Sequence, residues 1–298
     1  MDIKSEFSFS RGIARDRETG YLILVNDELA FEQIPHAYVC GYRKQEVLKG
    51  ENLKWEVAGI CVSRQPMVQL VAVGVFGNVL VRGSGSEHTE AILPVGTAPS
   101  VRFRCVRDID GHAYAAGMDR CVYRRDGRDT WVQMDRGARL TATKAEVVGF
   151  EAIDGFSSRD IYGVGWEGEI WHFNGGLWRQ VDSPVNTILT SVCCASDGHV
   201  YAGGRLGVLM VGRDNSWELI EHNSIKADIW DLAWFSDRLY LSTRSSLYIL
   251  RNRELVEVDF GLDIPGTCHQ LSASEGILCS VGSKDIMLFD GTSWRRVI

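Results

Sequence analysis

The sequence predicts an all-β fold, a seven-bladed β-propeller of four-stranded antiparallel blades. Three observations carry that reading. A short apolar run closes at Gly165, Gly204, Thr243 and Gly282, each 39 residues after the last. Every such run continues into a tight turn, a third short strand, a second turn and a strand that usually holds tryptophan. No segment of useful length follows a helical period. Four short strands in about 40 residues is the size of a propeller blade.

Taken in order, the chain begins with residues 1–19, where Phe7-Ser8-Phe9 either adds an outer strand or stays mobile. Residues 20–34, GYLILVNDELAFEQI, are expected to supply the inner strand of the first blade. Three further anchors, Gly41 in AYVCG, Gly74 in LVAVG and Gly117 in AYAAG, precede the regular set and bring the units to seven. The outer-strand tryptophans are Trp55, Trp131, Trp178, Trp217 and Trp294; Leu255 takes that place in the sixth unit and SEHTEAIL occupies it in the second. A four-stranded sheet that is apolar on both faces cannot bury them alone, and a radial array buries each against the next. Tryptophan then fills the wide outer wedge between blades. The last unit ends in its own outer strand through Trp294, and residues 1–298 read as one propeller domain.

The turn patterns bear on kinship. The D-G-x-hydrophobic-Y-A-x-G pattern, followed about 13 residues on by tryptophan, is similar to kelch-type and related short-repeat bacterial propellers. The Asp197-to-Trp217 unit, with Gly203-Gly204, is nearest to the kelch double glycine. That resemblance implies the fold and brings no active site with it.

Composition narrows the function. Hydrophobic content of 45% with 24% charged residues belongs to a globular chain. A formal charge of -7 argues against a general nucleic-acid binder, which needs a basic face. No run approaches the roughly 18 apolar residues of a spanning helix, so the expectation is a cytoplasmic bacterial protein that does not engage a membrane. The eight cysteines have no C-x-x-C spacing and sit in apolar strand-like runs such as GICVS and SVCCAS, where thiols act as small hydrophobes. Adjacent Cys193 and Cys194 point to opposite faces of a strand.

No metal or cofactor is implied. His112 and His199 follow Asp-Gly at equivalent places in two units and read as turn residues, and His172 beside Trp171 reads as packing. Asp110, Asp160, Asp197 and Asp237 recur on one turn, where a carboxylate caps backbone amides. Nucleophile-elbow, zinc-protease and phosphate-loop motifs are all missing.

The turns joining second to third strands share one rim with the connections between blades. They read as Tyr42-Arg43-Lys44, Val75-Phe76-Gly77, Met118-Asp119-Arg120, Trp166-Glu167-Gly168, Arg205-Leu206-Gly207, Arg244-Ser245-Ser246 and Ser283-Lys284-Asp285. Turn chemistry alone needs only small polar residues. Aromatic and arginine side chains there mark a binding surface, with Tyr42, Arg43, Phe76, Met118, Arg120, Trp166, Glu167, Arg205, Arg244 and Lys284 as the candidate contacts. The connections 93–100, 136–146, 183–187, 221–227 and 260–267 differ in length, as specificity loops do.

The expected function is non-catalytic. It is recognition of one protein partner by a propeller that is monomeric on its own, of the inhibitor, immunity or assembly-factor type, the partner being a toxin or an assembly client. A ring of basic and aromatic groups would suit an acidic patch. Two alternatives stand beside it: a carbohydrate-active or lactonase-like enzyme with a site in the central channel, and a lectin-like module using the rim aromatics.

Overall fold

A computed structural model describes residues 3–83, 85–92, 101–140 and 147–298. Within them the strands form seven antiparallel sheets, each drawn from one contiguous stretch of chain, and the protein is a seven-bladed β-propeller. The chain groups into two compact units, Met1–Glu56 with Ile220–Ile298, and Val57–Leu219.

The Val57–Leu219 unit holds the second to fifth blades. Their inner strands are Val57–Ser63, Phe103–Ile109, Phe150–Ser157 and Leu189–Cys194. Their second strands, Gln69–Gly74, His112–Gly117, Asp160–Gly165 and Val200–Gly204, are buried along almost their whole length. That explains the unbroken apolar runs LVAV and VYAGG: a strand sandwiched on both faces has no polar side to alternate with. The recurrent tyrosine of these strands is buried at Tyr114, Tyr162 and Tyr201, and Tyr114 and Tyr162 join cores shared with the next blade.

The outer strands carry the wedges. Trp178 is buried, with ring centroids of Phe150 and Phe173 at 5.2 and 5.5 Å, and its Nε1 donates to the Met134 carbonyl at 2.7 Å. Between the second and third blades the wedge is ionic. Arg125 donates through Nε to Glu90 at 2.9 Å and Trp131 Nε1 donates to the same carboxylate at 3.2 Å. Neighbouring inner strands are laced by arginine–carboxylate pairs: Arg64–Asp108 at 3.2 Å, Arg107–Asp154 at 3.2 Å and Arg104–Glu151 at 2.8 Å.

The other unit holds the first, sixth and seventh blades, and here the expected strand assignment fails. Phe7–Ala14 is the inner strand of the first blade and not an outer one; Thr19–Asn26 is its second strand. Gly41 lies in the third strand, Ala37–Arg43, opposite Tyr21. The outer strand is split into Glu46–Val47 and Glu51–Leu53, so this sheet has five strands, and Trp55 falls on the bend after them. AYVCG resembles the second-strand pattern, but an insertion at 27–36 pushes it one strand along.

The first blade packs on the seventh without strand exchange. Phe9 donates its amide to the Ser283 carbonyl at 2.9 Å, and Gly12 N donates to Gln270 Oε1 at 2.9 Å. Phe9, Leu22 and Leu24 share a core with Cys279, Val281 and Leu288.

All eight cysteines are free thiols. Burial raises Cys105 and Cys268 to about 11 and Cys279 to about 12, so these thiols stay protonated and unreactive at neutral pH. His172 stacks on Tyr162 at 4.5 Å and pairs with Asp160 at 2.9 Å. Asp197 caps the His199 amide at 2.9 Å, whereas Asp160 serves His172 and Arg213 across strands.

Candidate partner-binding surface

In each blade the second-to-third turn and the departing connection lie at the same end of the sheet. In the Val57–Leu219 unit two of these turns share one backbone. Trp166–Gly168 and Arg205–Gly207 each place a non-glycine residue in the left-handed region, Glu167 at φ 57 and Leu206 at φ 57. A glycine follows in both, Gly168 at φ 71 and Gly207 at φ 74. A Cβ on Gly168 would come within 2.3 Å of the Val185 carbonyl, so that place admits nothing larger.

The left-handed place before it ordinarily goes to glycine, asparagine or aspartate, because other side chains crowd the backbone by roughly 1–2 kcal/mol. Leucine occupies it at Leu206 and is 75% exposed. Its side chain is displayed to solvent and does not join the core. Phe76 is exposed on the corresponding turn of the second blade, beneath the Arg102 guanidinium at 5.5 Å. Trp166 is partly buried; its Nε1 donates to Glu151 Oε1 at 2.7 Å, and Arg104 Nε donates to the other oxygen at 2.9 Å. Glu167 and Arg205 are exposed beside them.

Other expected contacts have structural duties. Arg120 is buried, donates through Nε to Glu169 at 2.7 Å and lies 5.0 Å over the Trp171 ring. It clamps the third blade to the fourth. Lys284 pairs with Asp27 at 2.6 Å and donates to the Phe7 carbonyl at 2.7 Å, tying the seventh blade to the first. Tyr42 is buried in the core between those blades, and Arg43, though exposed, sits at the third-to-fourth turn at the opposite end of its blade. Both follow from the one-strand shift of the first blade. Met118 is partly exposed and hydrogen-bonded through its amide to the Arg102 carbonyl at 2.8 Å, and Arg244 is exposed. The connection 93–100, and residues 141–146 of the connection 136–146, lie outside the described residues.

Residue pattern missed the exposed apolar groups of the other unit. Its second-to-third connection in the first blade carries a helix, Asp27–Phe31, that displays Phe31. The connection between the sixth and seventh blades displays Leu262 and Ile264. The variable connection 260–267 was the available signal for those two; for Phe31 the misplaced strands hid it. Among the described residues no cluster of three His, Cys, Asp or Glu could hold a metal ion.

Fold and surface define a β-propeller whose distinguishing chemistry lies on its turns. Solved structures agree on the fold. YCF48 bound to a D1 peptide superposes with a TM-score of 0.67 at 14% identity, covering 95% of this chain and 91% of that one. The WD40 propeller domain of Doa1 gives 0.68 at 9% identity, covering 94% and 91%. No protein-family model matches the chain. Kinship comes from sequence: the chain is 43% identical to the immune protein Tsi7 of Pseudomonas aeruginosa, over 98% of this chain and 97% of that protein. It belongs to the family of that immune protein and is an immunity-type propeller.

Proposed function

We propose that the chain binds and neutralises a protein toxin through the end of its blades that carries the second-to-third turns. Similarity to the immune protein along nearly the whole of both chains carries the reading. Leu206 supports this choice of surface, because a left-handed backbone and an exposed apolar side chain coincide there. Trp166, Glu167, Arg205 and Phe76 complete this part of the surface, with the Arg104–Glu151 pair fixing the Trp166 ring. Arg120 supports it from behind by holding Glu169 of the next blade. We further propose a cytoplasmic location, where eight free thiols stay reduced. The kelch-like double glycine Gly203-Gly204 is in this view a packing device, since a Cβ on Gly204 would meet the Ile188 carbonyl at 2.6 Å.

The test uses the protein encoded beside this chain as the candidate toxin, co-produced in a bacterial host. The parent chain is expected to restore growth. Leu206→Asp is expected to weaken binding by about 2 kcal/mol or more, the cost of losing a hot spot, with no loss of folding stability. Calorimetric affinities equal for parent and variant would remove Leu206 from the surface.

A further inference from the structure

In the unit formed by residues 1–56 and 220–298, one loop is built to hold apolar side chains in water. The connection after the sixth blade runs Phe260-Gly261-Leu262-Asp263-Ile264-Pro265-Gly266-Thr267. Leu262 is fully exposed at 106% and Ile264 is 72% exposed. An unconstrained loop would fold such residues back, yet both ends of this one are anchored. Phe260 packs at 4.7 Å on Trp294, and Pro265 is buried.

Between those anchors Arg296 reaches up from the outer strand of the seventh blade. It donates through Nε to Asp263 at 2.7 Å, through Nη2 to the Ile264 carbonyl at 3.3 Å, and through Nη1 to Asp285. The other oxygen of Asp285 accepts the Gly266 and Thr267 amides at 3.0 and 3.2 Å. Asp259 accepts the Gly261 amide at 2.7 Å, closing the turn at its start. Ordering a loop before binding removes an entropic cost from the binding step. The clamp gives Leu262 and Ile264 that advantage and brings them no cover.

The same end of the first blade repeats the device. Asn26 caps the short helix Asp27–Phe31 by accepting the Leu29 amide at 3.0 Å. His36 holds the far side of the connection: its Nε2 accepts the Asn26 amide at 2.8 Å, and its Nδ1 is 2.6 Å from the Ile34 carbonyl. Phe31 stands on this frame, 89% exposed. The two displays are joined through Asp27–Lys284 on one side and Ser283–Thr267, 3.2 Å, on the other.

Charge says what kind of surface would cover them. The turns and connections at this end of the unit, 27–36, 54–56, 220–230, 243–246, 258–269 and 282–285, hold nine carboxylates against four Lys and Arg. Pairing removes charge on both sides: Lys284 pairs with Asp27, and Arg296, from the outer strand of the seventh blade, pairs with Asp263 and Asp285, so six carboxylates stand against Lys54, Lys226 and Arg244. The fitting partner is basic around an apolar recess, the reverse of the acidic patch expected from turn arginines alone.

We propose that Leu262 and Ile264, with Phe31, form a preorganised apolar anchor inside an acidic rim, and that it seats in an apolar recess bordered by lysine and arginine on the toxin. This rests on the reading of the chain as a toxin inhibitor and adds the partner's chemistry to it. Acidic residues around the anchor steer association, and the buried leucine and isoleucine slow dissociation.

The probe is the toxin whose lethality the parent chain suppresses in co-production. Leu262→Asp with Ile264→Asp is expected to keep the parent's melting temperature, since both side chains are in solvent, and to raise the dissociation constant about 100-fold. Glu28→Lys with Glu32→Lys is expected to slow association about 10-fold at low salt, a difference that shrinks as salt screens it. Unchanged affinity in the loop variant, with Leu206→Asp still weakened, would overturn the anchor and leave the inhibitor reading standing. A parent chain that does not bind the toxin would overturn both. A self-dimer dissolved by the loop variant, with toxin binding intact, would reassign the anchor to a second copy of this chain and overturn the proposal.

Discussion

Replacing Glu90 by alanine is expected to cost about 3–5 kcal/mol of folding stability, the range for stripping one partner from a buried ion pair. Arg125 is 1% exposed and would be left charged in a dry wedge beside Gln69, whose Oε1 lies 3.4 Å away. Trp131 would lose its acceptor as well. Glu90→Leu with Arg125→Met removes both charges and is expected to recover most of the loss, because the desolvation cost goes with them. Urea unfolding of the three variants decides it; a double variant no better than Glu90→Ala would mean the charges themselves hold the wedge.

The same pair sets a pH dependence. Burial pushes the Glu90 carboxyl up, but hydrogen bonds from Arg125, His88 and Trp131 outweigh it and hold the group below 4.5. A carboxyl depressed in the folded state contributes stability that is present above its unfolded value and lost as pH falls through the folded one. Stability of the parent is therefore expected to drop below pH 4.5 more steeply than that of the Glu90→Leu, Arg125→Met double variant. Parallel acid limbs would contradict this.

Trp178→Ala is the second large effect, expected at about 3–5 kcal/mol from lost transfer energy and the cavity left behind. The site has little room to collapse, since Phe150 and Phe173 are themselves core residues and the Met134 carbonyl loses its donor. Trp217→Ala is the control: that ring is only partly buried, meets Tyr162 edge-on at 6.1 Å, and should cost less than half as much. Equal losses at the two positions would mean that the wedges do not differ in packing.

How much of this was legible beforehand depended on where the spacing was constant. Between Gly165 and Gly282 no blade carries an inserted element, so the 39-residue period survived and the strands followed from it. The first blade lost its register because the helix Asp27–Phe31 and Pro35 lengthen one connection and Leu48-Lys49-Gly50 splits the outer strand. Leu206 was visible as an odd turn residue, but its left-handed φ was not. Arg120 and Lys284 looked like free turn cations because their carboxylates come from 49 and 257 residues away, beyond any local pattern. Leu262 and Ile264 sat in one of the variable connections, and exposure is a property of the clamp beneath them, which Arg296 supplies from another strand.

The contact between the first and seventh blades sets a schedule for synthesis. Phe9, Leu22 and Leu24 leave the ribosome early, and the residues that cover them, Cys279, Val281 and Leu288, leave late. At about 5–20 residues per second, making residues 44–269 takes roughly 10–45 s, and for that time one apolar flank of the nascent first blade has no mate. The split, charged outer strand of that blade, with Glu46, Lys49 and Glu51, gives its free edge the features that discourage pairing with another chain.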